Sequence, residues 1–171
     1  MNIISSSEIH FVYILDNAVL AWGLAACGIA QFSKLLFELI FKQRWRPLVL
    51  IETGGMPSSH SALVTGTAAG VGLQLGFDDP LFAFAATIAF IVMYDASGIR
   101  RSAGLTAAKV NQISKSNSKE SSAEVTLKES LWHTKIEVLV GSILGPTVAL
   151  PGILFIGSPL HLLQMIGLVP V

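Results

Sequence analysis

Apolar runs and short polar stretches alternate along this chain, and the runs have membrane dimensions. A helix crossing a bilayer needs roughly 20 apolar residues, and Val19 to Phe41 supplies such a run. Ile9 to Leu15 reads as a short interfacial helix leading into it. His60 to Gly76, Leu81 to Tyr94 and Ile136 to Ile156 are three further apolar runs. The pattern therefore predicts crossings at 19–41, 60–76, 80–99 and 135–156. Gly141, Gly145, Pro146 and Pro151 make bends in the last of these an expectation. Pro159 to Val169 is apolar but too short to span unaided at about 1.5 Å per residue. Residues 1–8 are polar and read as a frayed terminus. Ser114 to Glu124 is rich in Ser, Lys and Glu and reads as a mobile polar loop. Thr126, with Glu129 three residues on, suggests a helix start with a capping box. The expected fold is all-α: a single membrane domain over residues 1–171, a polytopic bundle of about four to five membrane helices with short interfacial helices.

Composition agrees with the pattern. The chain is 52% hydrophobic and only 13% charged, against about 25% charged in soluble domains. Its mean hydropathy is +0.65. The formal net charge is zero, which argues against a nucleic-acid partner. Cys27 is the single cysteine, so neither a disulfide framework nor a cysteine metal site is expected. The first Arg is Arg44, so a basic leader or Arg-rich transit peptide is not expected. Gly66-x-x-x-Gly70 and Gly72-x-x-x-Gly76 give the second crossing a small-residue face. Such faces suit close helix packing in lipid and permit a homodimer.

The polar stretches carry the candidate chemistry. Gly54-Gly55-Met56-Pro57-Ser58-Ser59-His60-Ser61 opens the second crossing. Pro57 suits the first helical position, the serines supply hydroxyls, and the free N–H groups of a helix start attract phosphate-like anions. His60 adds a group that titrates near neutrality. Upstream lie Lys34, inside the first crossing, and the basic cluster Lys42, Arg44, Trp45, Arg46. Lys34 either snorkels to the surface or faces a polar site. Asp95, Arg100 and Arg101 close the third crossing. Either they cap the helix end as an ion pair, or an Arg reads a phosphate. His133 and Glu137 are spaced i, i+4, which puts them on one face if both are helical.

Four crossings place loops 42–59 and 100–134 on one side of the membrane, where most of the basic residues fall, while Glu8, Asp78 and Asp79 fall on the other. The positive-inside tendency makes the basic side cytoplasmic, or stromal in a plastid. His60, Arg100, Arg101 and His133 then converge at one end of the bundle. Two His, a carboxylate beside one of them and several cations suit metal-free phosphate-ester hydrolysis through a phosphohistidine. No cofactor is expected.

Three strings carry a family resemblance. Gly54-Gly55-Met56-Pro57-Ser58-Ser59-His60-Ser61-Ala62, Tyr94-Asp95-Ala96-Ser97-Gly98-Ile99-Arg100-Arg101 and the stretch from Leu127 to Val138 containing His133-Thr134-Lys135-Ile136-Glu137 resemble the acid phosphatase/vanadium-dependent haloperoxidase-related family. This is a divergent membrane branch of the type-2 phosphatidic acid phosphatase superfamily. The resemblance implies a helical membrane bundle and hydrolysis of a lipid phosphate or related phosphomonoester or diphosphate. It implies His60 as the acid, His133 as the nucleophile and Glu137 as its orienter. Lys34, Arg46, Ser58, Ser59, Arg100 and Arg101 become the candidate substrate-binding residues, with membrane lipids and a phosphate-bearing substrate as partners. The chain departs from the superfamily pattern at four places. Ser59 replaces a Gly, Glu137 replaces an Asp, Leu39 stands where a Lys is expected seven residues before Arg46, and Thr126-Leu127 stands where a Ser-Arg pair precedes the nucleophile. These departures keep open a catalytically inactive membrane protein that binds an anion or lipid head group or scaffolds a partner. An anion transporter with broken helices is the third reading.

Overall fold

The fold comes from a computed structural model that describes residues 13–50, 54–117, 127 and 133–168. The frayed terminus expected at 1–8, the capping box expected at Thr126 and Glu129, and loop residues 118–124 lie outside the described residues. The described chain is helical: α1 (Ala18–Lys42), a short 3-10 turn (Pro47–Leu50), α2 (Ser59–Leu75), α3 (Pro80–Ser97), α4 (Ile99–Asn117), α5 (Lys135–Phe155) and α6 (Pro159–Met165). Helix α4 runs on to Asn117, into the stretch expected to be loop from Ser114.

Five of the six described helices start where a short polar side chain caps them. Asn17, Ser58, Asp79, Thr134 and Ser158 each accept a backbone N–H from the first turn that follows. This satisfies donors that have no intrahelical partner. Pro80 and Pro159 stand in first turns, where a missing N–H costs nothing. Helix α5 continues unbroken through Pro146 and Pro151.

Large side chains lie outside and small ones inside. Among the described residues, eight of the twelve buried apolar ones are alanine, including Ala26, Ala30, Ala62 and Ala149. Phe84, Phe90 and Ile91 on α3, Leu139 and Ile143 on α5, and Leu24 and Phe32 on α1 are exposed. A water-soluble domain buries its large apolar side chains. Here they form the outer surface, as a bundle solvated by lipid requires. Among the described residues, three helical stretches are long and apolar enough to cross a membrane: Ala18–Ile40, Pro80–Ser114 and Lys135–Phe155.

Helix α2, expected as the fourth crossing, is the centre of the bundle and packs against α1, α3 and, most extensively, α5. It has 17 residues, so it is about 25 Å long. Its glycines admit its neighbours. A Cβ on Gly66 would lie 3.1 Å from the Gly145 carbonyl oxygen, and one on Gly70 would lie 2.9 Å from Ile153 Cδ1. From the α5 side, a Cβ on Gly141 would collide with the Ser58 carbonyl, and one on Gly145 with Ala62 O and Thr65 Oγ1. The small-residue faces of α2 are therefore used within the chain.

Helices α1, α2 and α3 alternate in direction and α5 runs parallel to α2, which sorts the loops to two ends. One end holds the turn Gly76–Asp79 and the start of α6, tied to the start of α1 by a Ser158 Oγ–Asp16 Oδ1 hydrogen bond of 2.7 Å. The other end holds the C-terminal part of α1, the start of α2, the α3–α4 junction and the start of α5.

Gly145→Val places two methyl groups against α2 backbone and is expected to destabilise the bundle by about 1–3 kcal/mol or more. Gly28 has nothing within 4 Å of a Cβ, so Gly28→Ala is expected to be neutral or stabilising by up to about 1 kcal/mol. Thermal unfolding in one detergent measures both. Equal melting temperatures for the two variants would contradict the packing scheme.

Candidate active site

Helices α2 and α5 both begin at this end of the bundle, and their first turns are bonded together. The Ser58 N–H donates to the Glu137 carbonyl at 3.0 Å. Gly54 and Gly55 lead into α2 with φ of 102° and 80°, a region that favours glycine. Ser58 is the N-cap, so Pro57 stands before the cap and not at the first helical position, as its sequence context suggested. The Met56–Pro57 bond is cis. The serine hydroxyls work inside the turn. The Ser61 N–H and Oγ–H both donate to Ser58 Oγ, at 3.3 and 2.9 Å, and Ser58 and Ser61 are fully buried. Ser59 is buried as well. Ser58 therefore shapes the turn that presents His60, which is exposed at the second position of α2.

His133 and Glu137 meet, but not on one helical face. His133 precedes the N-cap Thr134 and lies off the helix. Thr134 Oγ1 accepts the Glu137 N–H at 3.2 Å, and Glu137 Oε2 accepts the Thr134 N–H at 3.0 Å. This capping box fixes Glu137. The same Oε2 lies 3.1 Å from His133 Nδ1. An ionised carboxylate can only accept, so Nδ1 carries the proton and Nε2 keeps its lone pair. Thr134-x-x-Glu137 is legible in the sequence as a capping signature. The His133 backbone N–H donates to the Ala96 carbonyl at 3.2 Å, which ties it to the end of α3. Upstream, the buried Asn111 side chain holds both the N–H and the C=O of Leu127 at 2.9 Å.

Lys34 resolves in favour of the interior. It is 2% exposed and lines a cavity of about 320 Å³ together with Glu38, Gly55, Met56, Thr134 and Glu137. The charge of Glu137 acts on its ammonium. Glu38, one turn beyond Lys34 on the same face, is a cavity residue that the motif reading missed.

The charged groups act on one another. The charges of Lys34 and Arg100 reach His60, and those of Lys34, Glu137 and His60 reach His133. Arg100 Nε donates to Asp95 Oδ2 at 2.5 Å, so the ion pair considered for this segment forms, between half-exposed side chains. Arg101 is also exposed and projects from a different side of α4. Arg46 is exposed at the start of the 3-10 turn, outside the described lining of the cavity. Of the predicted site residues, Lys34 and Glu137 line the described cavity, Glu137 holds His133, and His60, Arg100 and Arg46 lie outside that lining at the same end.

Burial holds the His133 imidazole below its ordinary pKa of 6.5, and the nearby Lys34 adds to this, while the Glu137 hydrogen bond works against it. His133 is therefore neutral at pH 7.

Residues 15–148 match the Divergent PAP2 family. The chain belongs to that family. Over 144 residues it is 39% identical to the uncharacterized membrane protein YuiD of Bacillus subtilis (strain 168), an alignment covering 77% of this chain and 91% of YuiD. No solved structure matches it. The family and the apolar helices together make this a membrane protein related to the phosphatidic acid phosphatases.

His133 is expected to titrate with a midpoint below 6.5, followed through its ring proton by NMR in detergent. Because the unfolded imidazole takes its proton first, the stability tied to the neutral ring is present above pH 6.5. It is lost as pH falls through the folded pKa. Glu137→Gln removes the two influences that favour the imidazolium and is expected to lower the midpoint further. A wild-type midpoint above 6.5 would contradict the burial argument.

Proposed function

We propose that this protein is an integral membrane phosphatase that hydrolyses a lipid phosphate, or a related phosphomonoester or diphosphate, through a metal-free phosphohistidine. The observation that carries this reading is the buried Lys34 side chain in a cavity it shares with Glu137, whose carboxylate holds His133 Nδ1. A buried charge is costly unless it is compensated, and a phosphoryl oxygen would add to the compensation that Glu137 gives. Two helix N-termini converge on the same place, and their free N–H groups favour an anion.

The chemistry follows from the tautomer. His133 Nε2 attacks phosphorus and a P–N bond forms. The bond from phosphorus to the leaving oxygen breaks as His60, in its protonated form, gives that oxygen a proton. Lys34, Arg100 and the helix N–H groups neutralise the charge on the equatorial oxygens. Glu137 stabilises the positive ring of the phosphohistidine. Water then attacks phosphorus, the P–N bond breaks, and His60 takes the proton from that water. Inorganic phosphate leaves.

The reading extends to sidedness. Arg44, Arg46, Arg100, Arg101 and Lys109 lie at the site end, and Asp16, Asp78 and Asp79 at the other. The site then faces the cytoplasm, or the stroma of a plastid, and membrane lipids present the phosphate there.

Phosphate release from a panel of lipid phosphates and diphosphates tests this in detergent with EDTA. Wild type is expected to turn over with vanadate-sensitive kinetics, and His60→Ala and His133→Ala to lose at least ~100-fold. Turnover should fall on the acid side as His133 becomes protonated, with its midpoint below pH 6.5, and on the alkaline side as His60 loses the proton it must donate. Well-folded wild type without turnover across the panel would favour an anion- or head-group-binding protein instead.

A further inference from the structure

Helix α3 has 18 residues and is about 27 Å long, close to the roughly 30 Å of a bilayer's hydrocarbon core. It needs no help from α4 to cross. The helical stretch Pro80–Ser114 has 35 residues, about 52 Å if straight, which exceeds core and head groups together. Helix α3 ends at Gly98, and Arg100 and Arg101 follow at once, as residues at a membrane boundary do. Helix α4 therefore starts at the membrane surface. Among the described elements its main packing partner is α3.

One side of α4 faces the protein. Gly104 and Asn111, seven residues apart, are buried, and the Asn111 side chain holds the backbone of Leu127. A second stripe consists of Ile99, Ala103, Thr106, Val110 and Ile113, with spacings of 4, 3, 4 and 3. Such spacing keeps it on one face. All five residues are exposed, Ile99 by 63% and Ile113 by 60%. At about 100° per residue, the stripe lies roughly 130° round the helix from Gly104 and Asn111. Charge decides what covers it. Residues 99–117 hold Arg100, Arg101, Lys109 and Lys115 and no Asp or Glu. Lys109 is exposed and flanks the stripe, about 80° from its centre. A second copy laid stripe to stripe would set cation against cation, with no carboxylate on α4 to answer it. Anionic head groups answer it directly, and the acyl boundary beneath them accepts the stripe. The positive-inside tendency puts this end in the cytoplasm, and the cytoplasmic leaflet is the anionic one.

We propose that α4 is an interfacial helix that docks on anionic lipid, with its Ile99–Ile113 stripe in the acyl boundary and Lys109 among the head-group phosphates. Asn111 ties Leu127 to α4, so the docked helix holds the chain leading to His133 near the head groups. The inference does not depend on turnover, and neither does its test. The full chain, in a Cys27→Ala background, carries a nitroxide at Val110→Cys, Ile113→Cys or Gln112→Cys. It is placed in nanodiscs of phosphatidylcholine with or without phosphatidylglycerol. In anionic discs the labels at 110 and 113 should meet oxygen more often than a water-soluble nickel complex. The label at 112, which is exposed on another side of α4, should show the reverse. Lys109→Gln should lower the ratio of docked to undocked spectral components at 110 about fivefold in anionic discs and leave it unchanged in neutral ones. The unlabelled wild type gives an independent check, because hydrogen exchange of the α4 amides should slow when phosphatidylglycerol is added. Nickel contact at 110 and 113 equal to that at 112 would overturn the inference. Dipolar broadening between copies at 110 and 113 would also overturn it, by putting a second chain on the stripe. Exchange indifferent to phosphatidylglycerol would overturn it as well.

Discussion

The close approach of α2 and α5 is the constraint on which the site depends. Gly141 and Gly145 meet α2 backbone where any side chain would collide, and the Ser58 N–H bonds to the Glu137 carbonyl. In lipid, apolar side chains gain nothing by hiding from water, so packing and hydrogen bonds must hold helices together. Here the packing is of small residues, and the hydrogen bond lies at the functional end. Two helix starts are brought within one hydrogen bond of each other, and everything that carries chemistry is attached to one of them or faces it.

That geometry gathers charged groups at one end of the bundle. Two N-termini contribute partial charge, Lys34 contributes a buried ammonium, and Arg100 a guanidinium paired with Asp95. Glu38 and Glu137 are the carboxylates of the cavity. Glu137 Oε2 is engaged by the Thr134 N–H and fixes the tautomer of His133, which keeps the Nε2 lone pair.

The large-scale fold was legible because apolar run length and capping residues act locally. The expected crossings at 19–41, 60–76, 80–99 and 135–156 differ from α1, α2, α3 and α5 by a few residues at most. The convergence of His60, Arg100 and His133 at one end followed from counting reversals. The details that failed were those decided by tertiary contacts or by competing local bonds. Pro57 looked like a first helical residue, but Ser58 took the cap through Ser61. The i, i+4 spacing of His133 and Glu137 suggested a shared helical face, whereas a capping box at Thr134 brings them together. Gly141 and Gly145 were read as sources of bending, because nothing in one helix reveals which neighbour will lie against it. Glu38 was passed over because no motif contains it, although its spacing from Lys34 was visible.

The most direct measurement is the identity of the phosphoenzyme. Wild-type protein mixed with a lipid phosphate and quenched in base within milliseconds would be digested and its phosphopeptides mapped, with 31P NMR on the trapped protein. The account predicts an acid-labile, base-stable phosphoramidate on His133, joined through Nε2. An acyl phosphate on Glu137, a phosphohistidine at His60, or turnover with no phosphoenzyme would contradict it.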